Sequence, residues 1–182
     1  MPHGFYARPT QQVARELLGM ELVHVVDGIA RRGRIVETEA YIGPQDLASH
    51  SSKGITPRTR TMYGPPGHAY VYLIYGMYHC MNAVTEPEGH GSAVLIRALE
   101  PLYGIEGDTR GPGLLCQAMG IDRSLNGADL VNGNLHIARG TPQMQNFTIA
   151  AGPRIGVAYA GSWAAQPLRF TVAGSPWLSH KA

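Results

Sequence analysis

Glu37, Glu39 and Tyr41, spaced two apart, are the side chains from which the chemistry of this chain is best approached. They lie in Arg34-Ile35-Val36-Glu37-Thr38-Glu39-Ala40-Tyr41, where β-branched residues predict a strand that Gly43-Pro44 ends. Side chains alternate along a strand, so Ile35, Glu37, Glu39 and Tyr41 should share one face and Val36, Thr38 and Ala40 the other. On such a face a carboxylate can activate a water while the aromatic ring stacks on a flat substrate. A half-exposed strand with two solvated glutamates has the same pattern. Arg97 interrupts an apolar run over residues 92–99 and needs a carboxylate partner if that strand is buried, Glu39 or Glu37 being the candidates. Tyr70, Tyr72, Tyr75 and Tyr78 crowd one short segment, more than core packing alone requires. A large aromatic at an exposed turn, next to Met77 and with Met62 not far away, would form an apolar wedge of the kind inserted between base pairs. An aromatic-rich strand pair packed on the core is the alternative.

The elements that must position these groups can be read in order. Pro9-Thr10 followed by Val13, Ala14, Leu17 and Leu18 predicts a short amphipathic helix, with Thr10 as candidate N-cap and Gly19 beyond its end. A strand over residues 21–26 meets Asp27-Gly28, a strong hairpin signal that returns the chain into the Glu39 strand. Residues 43–67, rich in Gly, Pro, Ser, Thr and Arg, predict a long ordered loop carrying His50, Lys53, Arg58, Arg60 and Met62. Its basic and hydroxyl side chains could contact phosphates or simply be solvated. Residues 69–82 predict a hairpin with Tyr75-Gly76 at its tip. Residues 114–119 look helical and end at Gly120. The preceding Gly111-Pro112-Gly113 is not a phosphate-binding loop, because no strand leads into it and the glycine pattern is incomplete. Asn132-Gly133 suggests another hairpin, and further strands are expected over 135–138, 154–159 and 168–172. Hairpins outnumber crossover units, so the expected fold is mixed α/β: a single domain over residues 1–182 with a curved, mainly antiparallel sheet, several short helices and a protruding β-hairpin.

Composition bounds the function. A chain of 182 residues, 44% hydrophobic and 15% charged, is long enough to bury a real core in one domain. No segment resembles a signal peptide or a membrane span, so a cytoplasmic protein without membrane contact is expected. Cys80 and Cys116 have no metal-ligand spacing and read as reduced thiols, with one disulfide as the alternative; neither an iron–sulfur centre nor another metal is expected. A net charge of +2 does not by itself announce a nucleic-acid binder. Its distribution says more: Arg31, Arg32, Arg34, Lys53, Arg58 and Arg60 outnumber the acids around them. Beyond residue 139 there is no acid at all, only Arg139, Arg154, Arg169 and Lys181 as fixed charges. That asymmetry suits one basic face toward phosphates.

Taken together, Glu37-Thr38-Glu39-Ala40-Tyr41, the tyrosine hairpin running to Asn82, and Leu95-Ile96-Arg97-Ala98-Leu99-Glu100-Pro101 resemble the 3-methyladenine (alkyladenine) DNA glycosylase family. So do Leu115-Cys116-Gln117-Ala118, Pro167-Leu168-Arg169-Phe170 and Gly174-Ser175-Pro176-Trp177, in register over residues 8–177. The resemblance implies a monofunctional DNA glycosylase of base excision repair, needing no metal and no cofactor. It would act, as a monomer, on double-stranded DNA containing alkylated or deaminated purines. Glu39 would be the general base that activates water against C1′, with Arg97 and the Ile155 carbonyl helping to hold that water. Tyr41, His50 and Tyr72 would wall the base pocket, Asn82 would screen against the guanine amino group, and Tyr75, with Met62 nearby, would fill the gap left in the duplex. Lys53, Arg58 and Arg60 are the candidates for DNA backbone contact. The chain is short between Pro101 and Gly111, where larger relatives carry a basic insertion, and has Leu114 where several carry lysine; both departures remove positive charge. The physical logic agrees: a base in a duplex must be flipped out to be cut, an intercalated ring offsets part of that cost, and an ionised Glu39 is favoured by a nearby arginine. A non-catalytic nucleic-acid-binding module and a hydrolase of free nucleosides are the rival readings.

Overall fold

The computed structural model describes residues 1–180, so Lys181 of the C-terminal cations lies outside the described residues. Its fold is mixed α/β, a curled antiparallel half-barrel sheet with a few short helices. The sheet is organised by β2 (Ile29–Tyr41), which the tight Asp27-Gly28 turn joins to β1 (Glu21–Val26) as the sequence predicts. One edge of β2 pairs with β5 (Ser92–Tyr103) along nearly its full length. The other edge pairs first with β1 and then, from Glu37 to Glu39, with β8 (Arg169–Val172). Because β2 has two successive partners on one edge, the sheet forks there: β6 (Leu135–Ala138) extends it beyond β1, and β7 (Ile149–Gly152) beyond β8. On the far side of β5 stand β4 (Tyr78–Thr85) and β3 (Ala69–Ile74), the predicted hairpin.

Two irregularities in the β2–β5 ladder bear on the site. Ile35 pairs with Leu99 and Glu37 with Ala98, so Val36 is the extra residue of a bulge. Glu37 pairs with Ala98 and Thr38 with Ile96, so Arg97 is the extra residue of a second, opposed bulge. Strict alternation therefore fails at one position. Ile35 packs in the main core together with Val36 instead of lining the Glu37–Glu39 face. Bulges raise the local twist and re-aim side chains, and the extra residue here is the arginine.

Helix α1 (His3–Tyr6) leads into α2 (Thr10–Leu17), which buries Val13, Ala14 and Leu17 against β2 and β5; full burial of a side chain such as Leu17 is worth roughly 2 kcal/mol. Thr10 is not the N-cap. Pro9 holds that position, and the Glu86 carboxylate, brought from a distant turn, accepts the Thr10 N–H at 2.8 Å, satisfying a donor that the sequence leaves open. Helix α3 (Pro112–Met119) starts on a proline two residues before the expected Leu114, and ends on left-handed Gly120 as expected. The strand expected over 154–159 does not form: Pro153 precedes it, and Gly156 takes φ +76°, which turns the chain. The strand in this region is β7, just upstream. Asn132-Gly133 makes no strand hairpin: β6 forms its ladder with β1, and the chain before it gives β6 only the Leu130 carbonyl, which accepts the Ile137 N–H at 3.2 Å. Residues 43–67 are a long ordered loop with short 3₁₀ turns at His50–Lys53 and Arg60–Tyr63. Among the described residues no helix is long and apolar enough to cross a membrane. Cys80 and Cys116 are free and buried, and burial pushes both thiols up, away from the reactive thiolate.

Candidate active site

A cavity of about 350 Å³ opens where the β3–β4 hairpin, β5, the 43–67 loop and the 153–159 segment meet. Its walls are flat rings. Tyr72 packs edge-on to His50 at 4.6 Å between centroids, Tyr70 lies 5.3 Å from Tyr72, and Tyr41 faces the same space. The Tyr70 hydroxyl lies 3.0 Å from His50 Nδ1 and fixes the imidazole. Burial, aided by the Arg58 charge, lowers the His50 pKa to about 4, so this wall is uncharged at neutral pH. Burial likewise raises Tyr41, Tyr70 and Tyr72, which therefore offer hydroxyls and not phenolates. The Arg58 guanidinium lies 5.1 Å from the centre of the Tyr72 ring.

One layer beneath the cavity surface lies Glu39, fully buried on β2. Its carboxylate accepts the Tyr41 hydroxyl at 2.9 Å and the Ile155 backbone N–H at 2.8 Å, while Arg97 Nη1 stands 3.4 Å away. All three of these partners line the cavity. Arg97 also donates through Nε to Glu37 at 3.1 Å, so the bulged arginine bridges both carboxylates. Burial acts against the charged form of Glu37, but donors from Ser179 and Arg169 outweigh it and hold that carboxyl below its ordinary range. Burial would equally discharge Arg97, and the charges of Glu39 and Glu37 more than compensate. A fixed anion beside a fixed cation at the end of an aromatic slot can orient and deprotonate a water.

The predicted site residues Glu39, Arg97, Tyr41, His50, Tyr72, Asn82 and Ile155 are brought together here. Ile155 donates its backbone N–H to Glu39, while its carbonyl is the group that the resemblance assigns to holding the water. Asn82, cross-strand from Tyr70, donates its amide to the Tyr70 carbonyl at 3.0 Å and presents the rest of its head to the cavity. Tyr75 stands at the hairpin tip on the cavity's rim, 84% exposed. Met62 is corrected: it is buried against Tyr70, Val84 and Ala93, which makes it part of the cavity wall and leaves it no free surface to enter a base stack. Met77, 68% exposed, is the methionine beside Tyr75. Lys53, Arg58 and Arg60 are exposed and join no ion pair among the described residues.

Two other basic residues, Arg154 and Arg169, do not face solvent as the charge distribution along the chain suggested. Arg154 is buried and grips Asp46 through two contacts, at 2.5 and 2.8 Å, and Arg169 is bound to Glu37. Arg154 is the buried contact beside the site that the sequence concealed. It donates to the Ala40 carbonyl at 2.9 Å and lies 4.7 Å from the centre of the Tyr41 ring, so it docks its own segment on the end of β2 and brings Ile155 to Glu39. Tyr70, in the sequence only one of an aromatic cluster, is a wall residue, and nothing in the sequence around Ser179 signals its contact with Glu37. Lone polar residues in loops carry no periodicity that would flag them.

The sequence model of the methylpurine-DNA glycosylases matches residues 4–176. Similar proteins occur in Anaeromyxobacter dehalogenans, 56% identical over 180 residues, covering 98% of this chain and 85% of that protein. One from Legionella pneumophila is 57% identical over 180 residues, with 98% and 97% covered. Another, from the more distant Methanocella arvoryzae, is 51% identical over 196 residues, with 100% and 96% covered. All three bear the name "Putative 3-methyladenine DNA glycosylase". Similarity of that extent takes in both bulged strands, the tyrosine hairpin and the loops around the cavity, and on that ground the chain belongs to the methylpurine-DNA glycosylase family, hydrolases of N-glycosyl bonds in DNA that serve base excision repair.

Proposed function

We propose that this glycosylase flips a damaged purine out of duplex DNA into the Tyr41–His50–Tyr72 cavity and hydrolyses its N-glycosidic bond with a water activated by Glu39. The observation that carries the reading is the buried Glu39 carboxylate, held by Tyr41, Ile155 and Arg97 directly behind an aromatic cavity of single-nucleoside size. In the reaction the water oxygen bonds to C1′ as the bond from C1′ to the purine nitrogen breaks. Glu39 accepts the water proton, and the base departs with the bonding electrons, leaving an abasic site. Arg97 holds the base's conjugate charge in place and, with the Ile155 carbonyl, orients the water. Asn82, on the cavity floor, limits which purine edges fit. Tyr75 enters the gap left by the flipped nucleotide, and Lys53, Arg58 and Arg60 meet the phosphates, the protein acting as a monomer.

The cavity walls bear on the choice of lesion. With His50 neutral and the tyrosines held protonated, none of these walls is a ready proton donor at neutral pH. An alkylated purine that already carries a positive charge needs none, since it leaves as a neutral base, and its charge is attracted to the ring faces. A deaminated, neutral purine lacks both advantages.

The test uses duplexes bearing 3-methyladenine or hypoxanthine, incubated with wild type and Glu39→Gln, with released base and alkali-labile abasic sites measured. Wild type should release 3-methyladenine faster than hypoxanthine. Glu39→Gln should bind both duplexes yet lose about 10²–10⁴-fold in rate, the usual worth of a positioned general base. Excision by Glu39→Gln at the wild-type rate would remove Glu39 from the mechanism. Binding without release by wild type would leave a damage-binding module.

A further inference from the structure

Glu37 stands two residues before the proposed base, is fully buried and does not line the cavity. Its carboxylate takes Arg97 Nε at 3.1 Å, Arg169 Nε at 2.7 Å, the Ser179 N–H at 2.7 Å and the Ser179 hydroxyl at 2.8 Å. Walled off from the cavity and held by these donors, Glu37 is not placed to take a proton from a water at the substrate. The Ser179 hydroxyl oxygen also lies 3.4 Å from Arg97 Nε and 3.3 Å from Arg97 Nη2. Two of the three guanidinium nitrogens thus face Glu37 and the C-terminal tail, leaving Nη1 as the one beside Glu39. Ser179 lies beyond the residues that the family model matches, which end at 176.

We propose that Ser179 and Glu37 are positioning residues: the C-terminal tail closes on Glu37 and fixes the bulged Arg97 so that Nη1 meets Glu39 and the attacking water. This rests on the assignment of Glu39 and Arg97 under the proposed function. The physical ground is the form of the guanidinium, a planar fork whose direction is set once two of its nitrogens are held. A bulge residue without a ladder partner has no other restraint of that kind on β5. Hydrogen bonds from the tail therefore set catalytic geometry from outside the cavity, and small misplacements of a catalytic group are costly in rate.

The experiment compares Ser179→Ala, which loses the hydroxyl, Ser179→Pro, which loses hydroxyl and N–H, and Ser179→Thr, which keeps both. Single-turnover release of 3-methyladenine is measured beside affinity for a duplex with an uncleavable abasic analogue, and beside Tm. Ser179→Ala should slow release several-fold and Ser179→Pro about a hundredfold, with affinity within about twofold of wild type and Ser179→Thr close to wild type. Wild-type release by Ser179→Pro would overturn the proposal, as would a loss matched by weakened binding or a lowered Tm, which would make the tail a structural latch. Failure of the underlying reading is distinguishable: it appears as wild type that releases no base, or as Glu39→Gln that releases it normally.

Discussion

Arg154 is buried beside the site but does not line the cavity. Its guanidinium and the Asp46 carboxylate are both fully buried, and each finds in the other the counter-charge that its desolvation demands. Burying two ions costs several kcal/mol each, repaid only if the geometry is good and the remaining hydrogen-bonding groups are met; the Ala40 carbonyl and the Tyr41 ring meet part of that need. Asp46→Asn leaves the guanidinium charged and unpaired. It should cost about 3–5 kcal/mol of stability, which is roughly 10 °C in Tm for a chain of this size. Because the same pair carries Ile155 to Glu39, excision by the folded fraction should also fall. A Tm within a few degrees of wild type would show that the pair is dispensable.

At the scale of the element, the β3–β4 hairpin joins the cavity wall to an exposed tip, the part proposed to enter the duplex. Tyr70, Tyr72, Cys80 and Asn82 line the cavity from its strands, while Tyr75 and Met77 project from its end. The turn takes φ +53° at Tyr75 and +71° at Gly76. Glycine accepts that conformation freely, but tyrosine does so at a cost, and local strain of this kind persists where the surrounding structure imposes it. At this turn the ring stands clear of the sheet. Removing it should therefore be harmless to the fold and harmful to duplex work. Tyr75→Asn suits the left-handed turn yet lacks the ring; it should keep the wild-type Tm and lose roughly tenfold to a hundredfold in excision from duplex, the worth of one base stack of about 1–3 kcal/mol. Excision from single strands should change far less, since no gap needs filling. Equal losses on both substrates would assign Tyr75 to the cavity instead of the wedge.

For the whole molecule, a half-buried imidazole and a buried carboxylate link stability to acid. His50 has an ordinary value of 6.5 and is lowered to about 4 by burial, so between those values the unfolded chain takes up a proton that the folded one refuses. Stability falls as pH drops across that window and the His50 contribution is flat below it. Glu37 is depressed below its ordinary 4.5, so its contribution is present above that pH and is lost as pH falls through the lower folded value. Tm should therefore decline in two stages on acidification, first from about pH 6.5 and again below about pH 4.5. His50→Phe should remove the first stage and leave the second. A Tm unchanged from pH 7 to 5 in the wild type would contradict the neutral, half-buried imidazole.

Local rules made much of this protein legible from the chain alone. Glu37, Glu39 and Tyr41 at spacing two, the Asp27-Gly28 and Tyr75-Gly76 turns, and the run around Arg97 are patterns written within a few residues. Period, turn chemistry and β-branching act at that range. Family motifs in register added the identities of the cavity residues. The tertiary structure alone decided what depends on distant partners. Register shifts opposite Leu99 and Glu37 moved Ile35 into the core and set Arg97 between two carboxylates. Packing buried Met62, and Gly156 with Pro153 turned an expected strand into the segment that delivers Ile155. Arg154 and Arg169, read as surface cations, were drawn inward by Asp46 and Glu37, more than a hundred residues away in the chain. Charge counted along a sequence does not say where a counter-charge will lie in space, and that placement made the site.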